Sequence, residues 1–265
     1  MLTQERYNYI LDMLFSKKTV RVSQLALALN VSSETIRRDL EFLEKECLLT
    51  RVHGGAALVR VDAGQGTFNN RLSRSVKEKE YISKIAVEFI SEGLAISLDH
   101  STTCLALARE IKTRFKALTI VTNSLEVLNT ICDVSSFTTI YLGGLYNHNE
   151  HACFGPHVIE MIRRFNTDMA FIGVGGISLK EGCTENLYDA GETLKAFLEV
   201  TQRKIIVADS SKFDVVTLMQ VCKIEDVDTI ITDKSINLNV LGKYRNHGIE
   251  IVNDLTNAEI GKFAT

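Results

Sequence analysis

Five side chains able to grip a nucleic acid fall within seven consecutive residues: Ser32, Ser33, Thr35, Arg37 and Arg38. Ile36, Leu40 and Leu43 follow at i, i+4 and i+7, which gives a helix one apolar stripe. At about 100° per residue, Glu34, Arg37, Arg38 and Glu41 face the other way. Ser32 suits the N-cap, and Glu34 in the first turn suits the helix dipole. Paired guanidinium groups and small hydroxyls at the start of an anchored helix are what a recognition helix offers to the major groove. A solvated surface helix has the same composition, so the flanking sequence must decide.

A second set of chemical groups recurs farther along the chain, each time after an apolar run of strand length. Asp99-His100-Ser101-Thr102-Thr103 and Thr122-Asn123-Ser124 both precede helical patterns. Gly143-Gly144, Gly173-Val174-Gly175-Gly176 and Asp209-Ser210-Ser211-Lys212 complete the set. Hydroxyls and free backbone N–H groups at helix starts form an anion cradle. Lys212 adds a full positive charge, and Asp99 can accept from sugar hydroxyls. Singly, each loop reads equally well as a helix cap or a turn. Together they point to a small phosphorylated polyol or sugar. The glycine run at 173–176 is not a dinucleotide fingerprint, because its spacing is wrong and no clear helix follows.

The elements that must position the first set are short. Thr3 can cap a helix whose inward stripe is Tyr7, Ile10, Leu11 and Leu14. A second helix over Ser23–Leu29 buries Leu25, Ala26 and Leu29. Asn30 tolerates the left-handed conformation of a sharp turn, Val31 plugs it, and the Ser32 helix follows with helix-turn-helix spacing. Leu48–Val52 and Ala57–Val59 flank His53-Gly54-Gly55-Ala56, which predicts a β-hairpin wing. Arg51 and His53 near its tip can reach phosphates or the minor groove, although a purely structural turn role for His53 stands equally open.

The second set needs a larger scaffold. Residues 61–76 are glycine-rich at first and aperiodic, and read as a linker from which Phe68 docks onto the body. Beyond them, apolar runs at Leu94–Leu98, Leu118–Val121, Thr138–Leu142, Met169–Val174, Lys204–Ala208, Thr229–Ile231 and Ile249–Val252 alternate with helical patterns. Those helices are expected at Tyr81–Ile90, Thr103–Ile111, Leu125–Ile131, His157–Arg164, Leu187–Val200 and Leu238–Arg245, with Pro156 at one start. The alternation predicts a mostly parallel α/β sheet with its ligand beyond the carboxyl ends of the strands.

Bulk properties agree. No apolar run approaches the roughly 18 residues of a membrane span, and the N-terminus shows no signal peptide. The six cysteines (47, 104, 132, 153, 183 and 222) form no Cys-x-x-Cys pair, so no metal site or cofactor is expected and a reducing cytoplasm fits. The net charge of −3 conceals a split: residues 1–60 hold nine Lys/Arg against seven Asp/Glu, and the remainder is acidic.

Arg6, Ile10, Leu14, Ser32-x-x-Thr35-Ile36-Arg37-Arg38-Asp39-Leu40 and Arg51-Val52-His53-Gly54-Gly55-Ala56 together resemble the N-terminal domain of DeoR-type bacterial transcriptional regulators. Glu78-Lys79, Asp99-x-Ser101-Thr102-Thr103, Thr122-Asn123-Ser124, Gly143-Gly144, Phe171-Ile172-Gly173 and Asp209-Ser210-Ser211-Lys212-Phe213 resemble the sensor domain of the same family. The resemblance implies a winged helix-turn-helix domain at 1–60, the linker at 61–76, and an effector-binding and oligomerisation domain at 77–265 with a fold akin to ribose-5-phosphate isomerase. It further implies double-stranded operator DNA and a phosphorylated sugar as partners, a homo-oligomer (dimer or tetramer), and repression as the sense of regulation. The family usually has glycine where this chain has Ser101, and a Cβ there narrows the approach of a phosphate. A catalytic sugar-phosphate isomerase is the alternative. Enediol chemistry needs a poised carboxylate, and 173–176 offers none, although Glu181, Glu185 and Asp99 lie nearby; no catalytic residue is expected.

Overall fold

Apolar spacing organises the chain into two units in the computed structural model, Met1–Val61 and Asp62–Thr265. The structure describes residues 3–17, 19–45, 49–52, 54–57 and 66–255. The first unit contains α1 (Thr3–Lys17), β1 (Thr19–Arg21), α2 (Val22–Leu29), α3 (Ser33–Lys45), β2 (Thr50–Val52) and β3 (Gly55–Ala57). Ile10, Leu14, Leu25, Leu29, Ile36, Leu40 and Leu43 meet in one core. Full burial of each Leu or Ile contributes roughly 1.5–3 kcal/mol. Asn30 takes φ 53° at the end of α2, and the Val31 amide donates back to Ala26 O at 3.1 Å, which closes the tight turn into α3.

The three strands form an antiparallel sheet in the order β1–β3–β2. β1 was not expected: three residues are too few to show a period. It gives the Gly-Gly pair two separate duties. Gly54 turns the hairpin at φ 77°, whereas a β-carbon on Gly55 would fall on the carbonyl of Val20 in β1. Gly55→Ala is therefore expected to cost this unit about 1–3 kcal/mol through overpacking. A lowered denaturation midpoint for the first unit alone would show it; an unchanged midpoint would mean that β1 yields. His53, Leu48, Leu58 and Val59 lie outside the described residues.

The second unit opens with α4 (Phe68–Leu72) and α5 (Val76–Ala86). Hence the stretch read as a linker is not one throughout. Phe68 is buried and stacks on His151 at 5.0 Å, and its amide donates to Asn149 O at 2.7 Å. The packing of one aromatic side chain outweighs the surrounding glycine-rich composition. Residues 61–65 lie outside the described part. α5 also starts earlier than its apolar stripe suggested and gives way to a 3-10 turn over Val87–Phe89.

Seven parallel strands follow: β4 (Ala95–Leu98), β5 (Thr119–Thr122), β6 (Thr138–Tyr141), β9 (Thr167–Ile172), β12 (Thr201–Val207), β14 (Thr229–Ile231) and β15 (Ile251–Val252). Their order is β15–β14–β12–β9–β4–β5–β6. α5, α6 (Thr102–Arg114) and α7 (Leu125–Ile131) share one core with the sheet, through residues such as Ile85, Leu107 and Ile131. α8 (Pro156–Ile162), α9 (Tyr188–Glu199) and α10 (Leu238–Arg245) share the other, through Val158, Phe197 and Tyr244. The chain runs from β4 outward to β6 and then returns to β9 on the other side of β4. The crevice between β4 and β9 is thus the switch point where ligands bind in such sheets. Short side strands fold over this end: β7 (Leu145–Asn147) with β8 (Ala152–Phe154), and β10 (Gly176–Ser178), β11 (Gly182–Glu185) and β13 (Met219–Cys222) in a sheet of their own.

Candidate functional site

In the first unit the recognition-helix geometry is anchored from within. Ser32 Oγ accepts the Thr35 amide at 3.0 Å, which is an N-cap. Ser32 and Thr35 hydroxyls lie 2.9 Å apart, and Ser33 opens the helix beside them. Asp39, buried on the inward side of α3, accepts two hydrogen bonds from Arg6 of α1, from Nε at 2.7 Å and Nη2 at 2.8 Å. That bidentate pair fixes how α3 is rotated against α1, a role sequence reasoning assigned to neither residue. Arg37 and Arg38 point outward, with side chains 65% and 80% exposed, and reach Glu34 only at 3.5 and 3.8 Å. Arg51 behaves differently. Its Nε and its amide both bind Glu44 of α3, at 2.7 and 2.8 Å, and hold that carboxyl below the usual carboxylate range. Arg51 thereby braces the wing strand against α3.

In the second unit the loops converge on the β4–β9 switch point, although several predicted contacts are turned inward. Asp99 is fully buried. Its Oδ1 accepts the Ser101 amide at 2.9 Å and its Oδ2 accepts the Gly173 amide at 3.0 Å, so it staples the two central loops together. Burial pushes its carboxyl up. Ser101 caps α6 by accepting the Cys104 amide at 3.1 Å. Its side chain occupies the space that a β-carbon at Gly173 would need. A serine on one loop is thus matched by a glycine on the other. Thr102 and Thr103 form the first turn of a 13-residue helix, whose leading amides have no helical acceptor. Asn123 is buried and donates to Cys153 O at 2.9 Å, which ties the β5 loop to β8. A side chain on Gly144 would meet Phe154 O at 2.8 Å, and one on Gly176 would meet Val215 O at 2.5 Å. Gly175 donates its amide to Thr184 O at 2.9 Å. These glycines therefore seat the side strands, while Gly143 stands open.

Part of the crevice's charge comes from residues the motifs did not single out, Arg71 and Arg74. Lys79 is buried on α5 and donates to Arg71 O and, at 2.6 Å, to Arg74 O. Burial lowers its ammonium to about 8, Asp209 opposes that, and Lys212, Arg71 and Arg74 push it further down. Lys212, in the 3-10 turn Ser210–Lys212, is likewise lowered by burial, with Asp209 and Glu185 attracting it and Arg71 and Arg74 repelling it. Four cations therefore crowd one end of the sheet. Arg71 is held by Gly66 O at 2.7 Å and by both oxygens of Glu150. Glu185 is half-buried nearby, and desolvation raises its carboxyl. His100, lowered to about 3 by burial and then by Arg71, stays neutral at pH 7, so its 3.7 Å approach to Glu150 is not an ion pair. Its Nδ1 is buried without a hydrogen-bond partner. Asp233 gathers the Ser210 amide at 2.7 Å and the Ser235 amide at 2.8 Å, so the β12 loop is held by its β14 neighbour. Lys212 and, as half of the Glu78-Lys79 motif, Lys79 carried a sequence signal; Arg71 and Arg74 did not. Among the described residues no group of three or more His, Cys, Asp or Glu side chains is set to hold a metal ion, and no helix is long and apolar enough to cross a membrane.

A winged helix-turn-helix unit joined to a doubly wound α/β unit with a cationic crevice is the build of a regulator with a DNA-reading head and a sensor body. The family model for the DeoR-like helix-turn-helix domain matches residues 6–61, and the one for the DeoR C-terminal sensor domain matches residues 74–234. The chain belongs to the DeoR family of DNA-binding transcriptional regulators. It is 31% identical to the HTH-type transcriptional regulator GolR of Listeria innocua, over 95% of this chain and 98% of that protein. It is 30% identical to the HTH-type transcriptional repressor GlcR of Bacillus subtilis, over 99% and 100%. It is also 30% identical to the glycerol-3-phosphate regulon repressor of Escherichia coli, over 95% and 99%. Among solved structures, ribose 5-phosphate isomerase A of Methanocaldococcus jannaschii aligns over 55% of each chain at 16% identity and a TM-score of 0.37, a likeness too distant to bear on chemistry.

Proposed function

We propose that this protein is a repressor of sugar or carbohydrate metabolism genes in the cytoplasm, released from its operator by a phosphorylated sugar. The observation that carries the reading is the convergence of Arg71, Arg74, Lys79 and Lys212 on the β4–β9 crevice. Cations that repel one another in a half-buried crevice favour an anion beside them, and a phosphate supplies two charges and several acceptors. The Thr102 and Thr103 amides add the start of α6 to that end of the site. His100, Glu150 and Glu185 suit the hydroxyls of the sugar. In the head, Ser32, Ser33, Thr35, Arg37 and Arg38 face double-stranded operator DNA. One helix-turn-helix makes too few contacts for tight binding, so the protein acts as a homo-oligomer, a dimer or tetramer, on paired half-sites.

A thermal-shift screen of the full-length protein tests this. At a hundred times Kd a ligand adds about 2.7 kcal/mol to the folded state. A sugar monophosphate is expected to raise the melting temperature, and its unphosphorylated parent is not. Equal shifts from both, or none from any phosphorylated sugar, would overturn the reading. Glu185 and Asp99, carboxyls raised by burial in the same crevice, give the isomerase alternative its foothold. Turnover of the phosphosugar that shifts the melting temperature, lost in Glu185→Gln, would favour that alternative.

A further inference from the structure

Cys183 on β11 pairs with Cys222 on β13, beside the point where their antiparallel register shifts by one residue. Opposed residues in such a pair have Cα atoms about 4.5–5.5 Å apart, within the roughly 4.4–6.8 Å that a disulfide spans. The side chains are close enough for each thiol to perturb the ionisation of the other. The two thiols are unlike in every other respect. Cys183 is wholly buried, whereas Cys222 is partly open to solvent. The proximity of Cys183 draws Cys222 below the usual thiol range, while the same proximity, with burial, pushes Cys183 up. A partly exposed thiol beside a buried partner is the arrangement of an attacking and a resolving cysteine. The strands around them are held firmly. Gly182 packs on the Cys222 carbonyl so closely that it has no room for a β-carbon, and Gln220 Nε2 donates to Glu181 O at 2.9 Å.

We propose that Cys183 and Cys222 are a reversible redox pair that closes to a cross-strand disulfide when a hydroperoxide reaches the Cys222 thiolate. The Cys222 sulfur attacks the terminal peroxide oxygen: an S–O bond forms, the O–O bond breaks, and the departing oxygen takes a proton to leave as alcohol or water. Cys222 is now a sulfenic acid. The Cys183 sulfur then attacks the Cys222 sulfur. The S–S bond forms, the S–O bond breaks, and the hydroxide leaves as water with the proton from Cys183. Two thiols and one hydroperoxide thus give one disulfide, one alcohol or water, and one further water. The bridge stiffens the strand that also carries Glu185 to the crevice. The remaining described cysteines have other surroundings. Cys104 donates to Phe171 O at 3.2 Å, Cys153 contacts the Tyr141 hydroxyl at 3.3 Å, and Cys132 is exposed.

The test uses the reduced full-length protein, graded hydrogen peroxide, alkylation under denaturing conditions and peptide mass spectrometry. The expected product is a Cys183–Cys222 linkage with loss of two hydrogens, formed before exposed Cys132 is oxidised to a similar extent and fully reversed by dithiothreitol. In Cys183→Ser the link is absent, and sulfenic acid trapped by dimedone on Cys222 rises at least about fivefold, because nothing resolves it. In Cys222→Ser, Cys183 stays reduced. Both thiols remaining alkylatable at peroxide levels that oxidise Cys132 would overturn the proposal. So would Cys222 passing to sulfinic acid without a link.

Discussion

Lys212→Ala is expected to weaken sugar-monophosphate binding by about tenfold to a hundredfold, while operator affinity without effector stays the same. A hydrogen bond from a charged donor contributes about 1.5–3 kcal/mol, and each 1.4 kcal/mol is about tenfold. The geometry favours the upper part of that range. The Lys212 side chain is half-buried, and it makes no ion pair within 4 Å among the described residues. It is therefore held ready for an anion rather than spent on a carboxylate. Isothermal calorimetry with the sugar monophosphate identified by the melting screen would read the change, and equal affinity in both proteins would remove Lys212 from the site. The same titration carries a pH signature. Lys79 sits at about 8 because burial and neighbouring cations disfavour its charge. A bound phosphate favours that charge and raises the pKa, so binding above pH 8 must take up a proton. Affinity accordingly falls as pH rises through 8, by at most one log unit per pH unit. Below pH 8 Lys79 is already charged and the dependence flattens. Lys79→Met removes the part of the slope that Lys79 contributes near pH 8.

Much of this arrangement can be read along the chain, for a physical reason that also marks where reading stops. The inner strands of the main sheet are buried on both faces, so Ile96, Ile120, Phe171, Ile206 and Ile230 stand out as apolar runs. Ser101, Ser124 and Asp209 announce helix starts because capping is a local interaction. The strands β7, β8, β10, β11 and β13 are three or four residues long, too short for any period. Asp99 and Asn123 are the right residues in the right loops, but whether a polar group faces a ligand or a neighbouring loop depends on contacts from far along the chain. Gly173 and Cys153 supply those contacts here. The cationic cluster is the least legible feature. Arg71 and Arg74 lie in an aperiodic stretch, and only the docking of Phe68 and the two carbonyl bonds from Lys79 bring them to Lys212.

Arg38→Ala is expected to weaken operator binding at least tenfold and to leave both the stability of the head and effector binding unchanged. Arg38 extends 80% exposed from a helix whose rotation is fixed by Ile36, Leu40 and the Arg6–Asp39 pair, so truncating it disturbs no packing. Its contact with Glu34, at 3.8 Å, is a surface ion pair of the kind worth about 0–1 kcal/mol. A groove of phosphates and base edges outbids that easily. Loss of one bidentate base contact costs about 1–3 kcal/mol of discrimination. Loss of one phosphate contact instead lowers affinity on all sequences and reduces the salt slope by about one. Measuring affinity for the operator and for a scrambled duplex at several salt concentrations therefore shows which contact Arg38 makes. Arg51→Ala is the informative comparison. Arg51 braces the wing on Glu44, so its removal acts through the angle between wing and helix and lowers affinity without changing which base pair is preferred. Undiminished operator affinity in Arg38→Ala would move DNA recognition away from the outward face of α3.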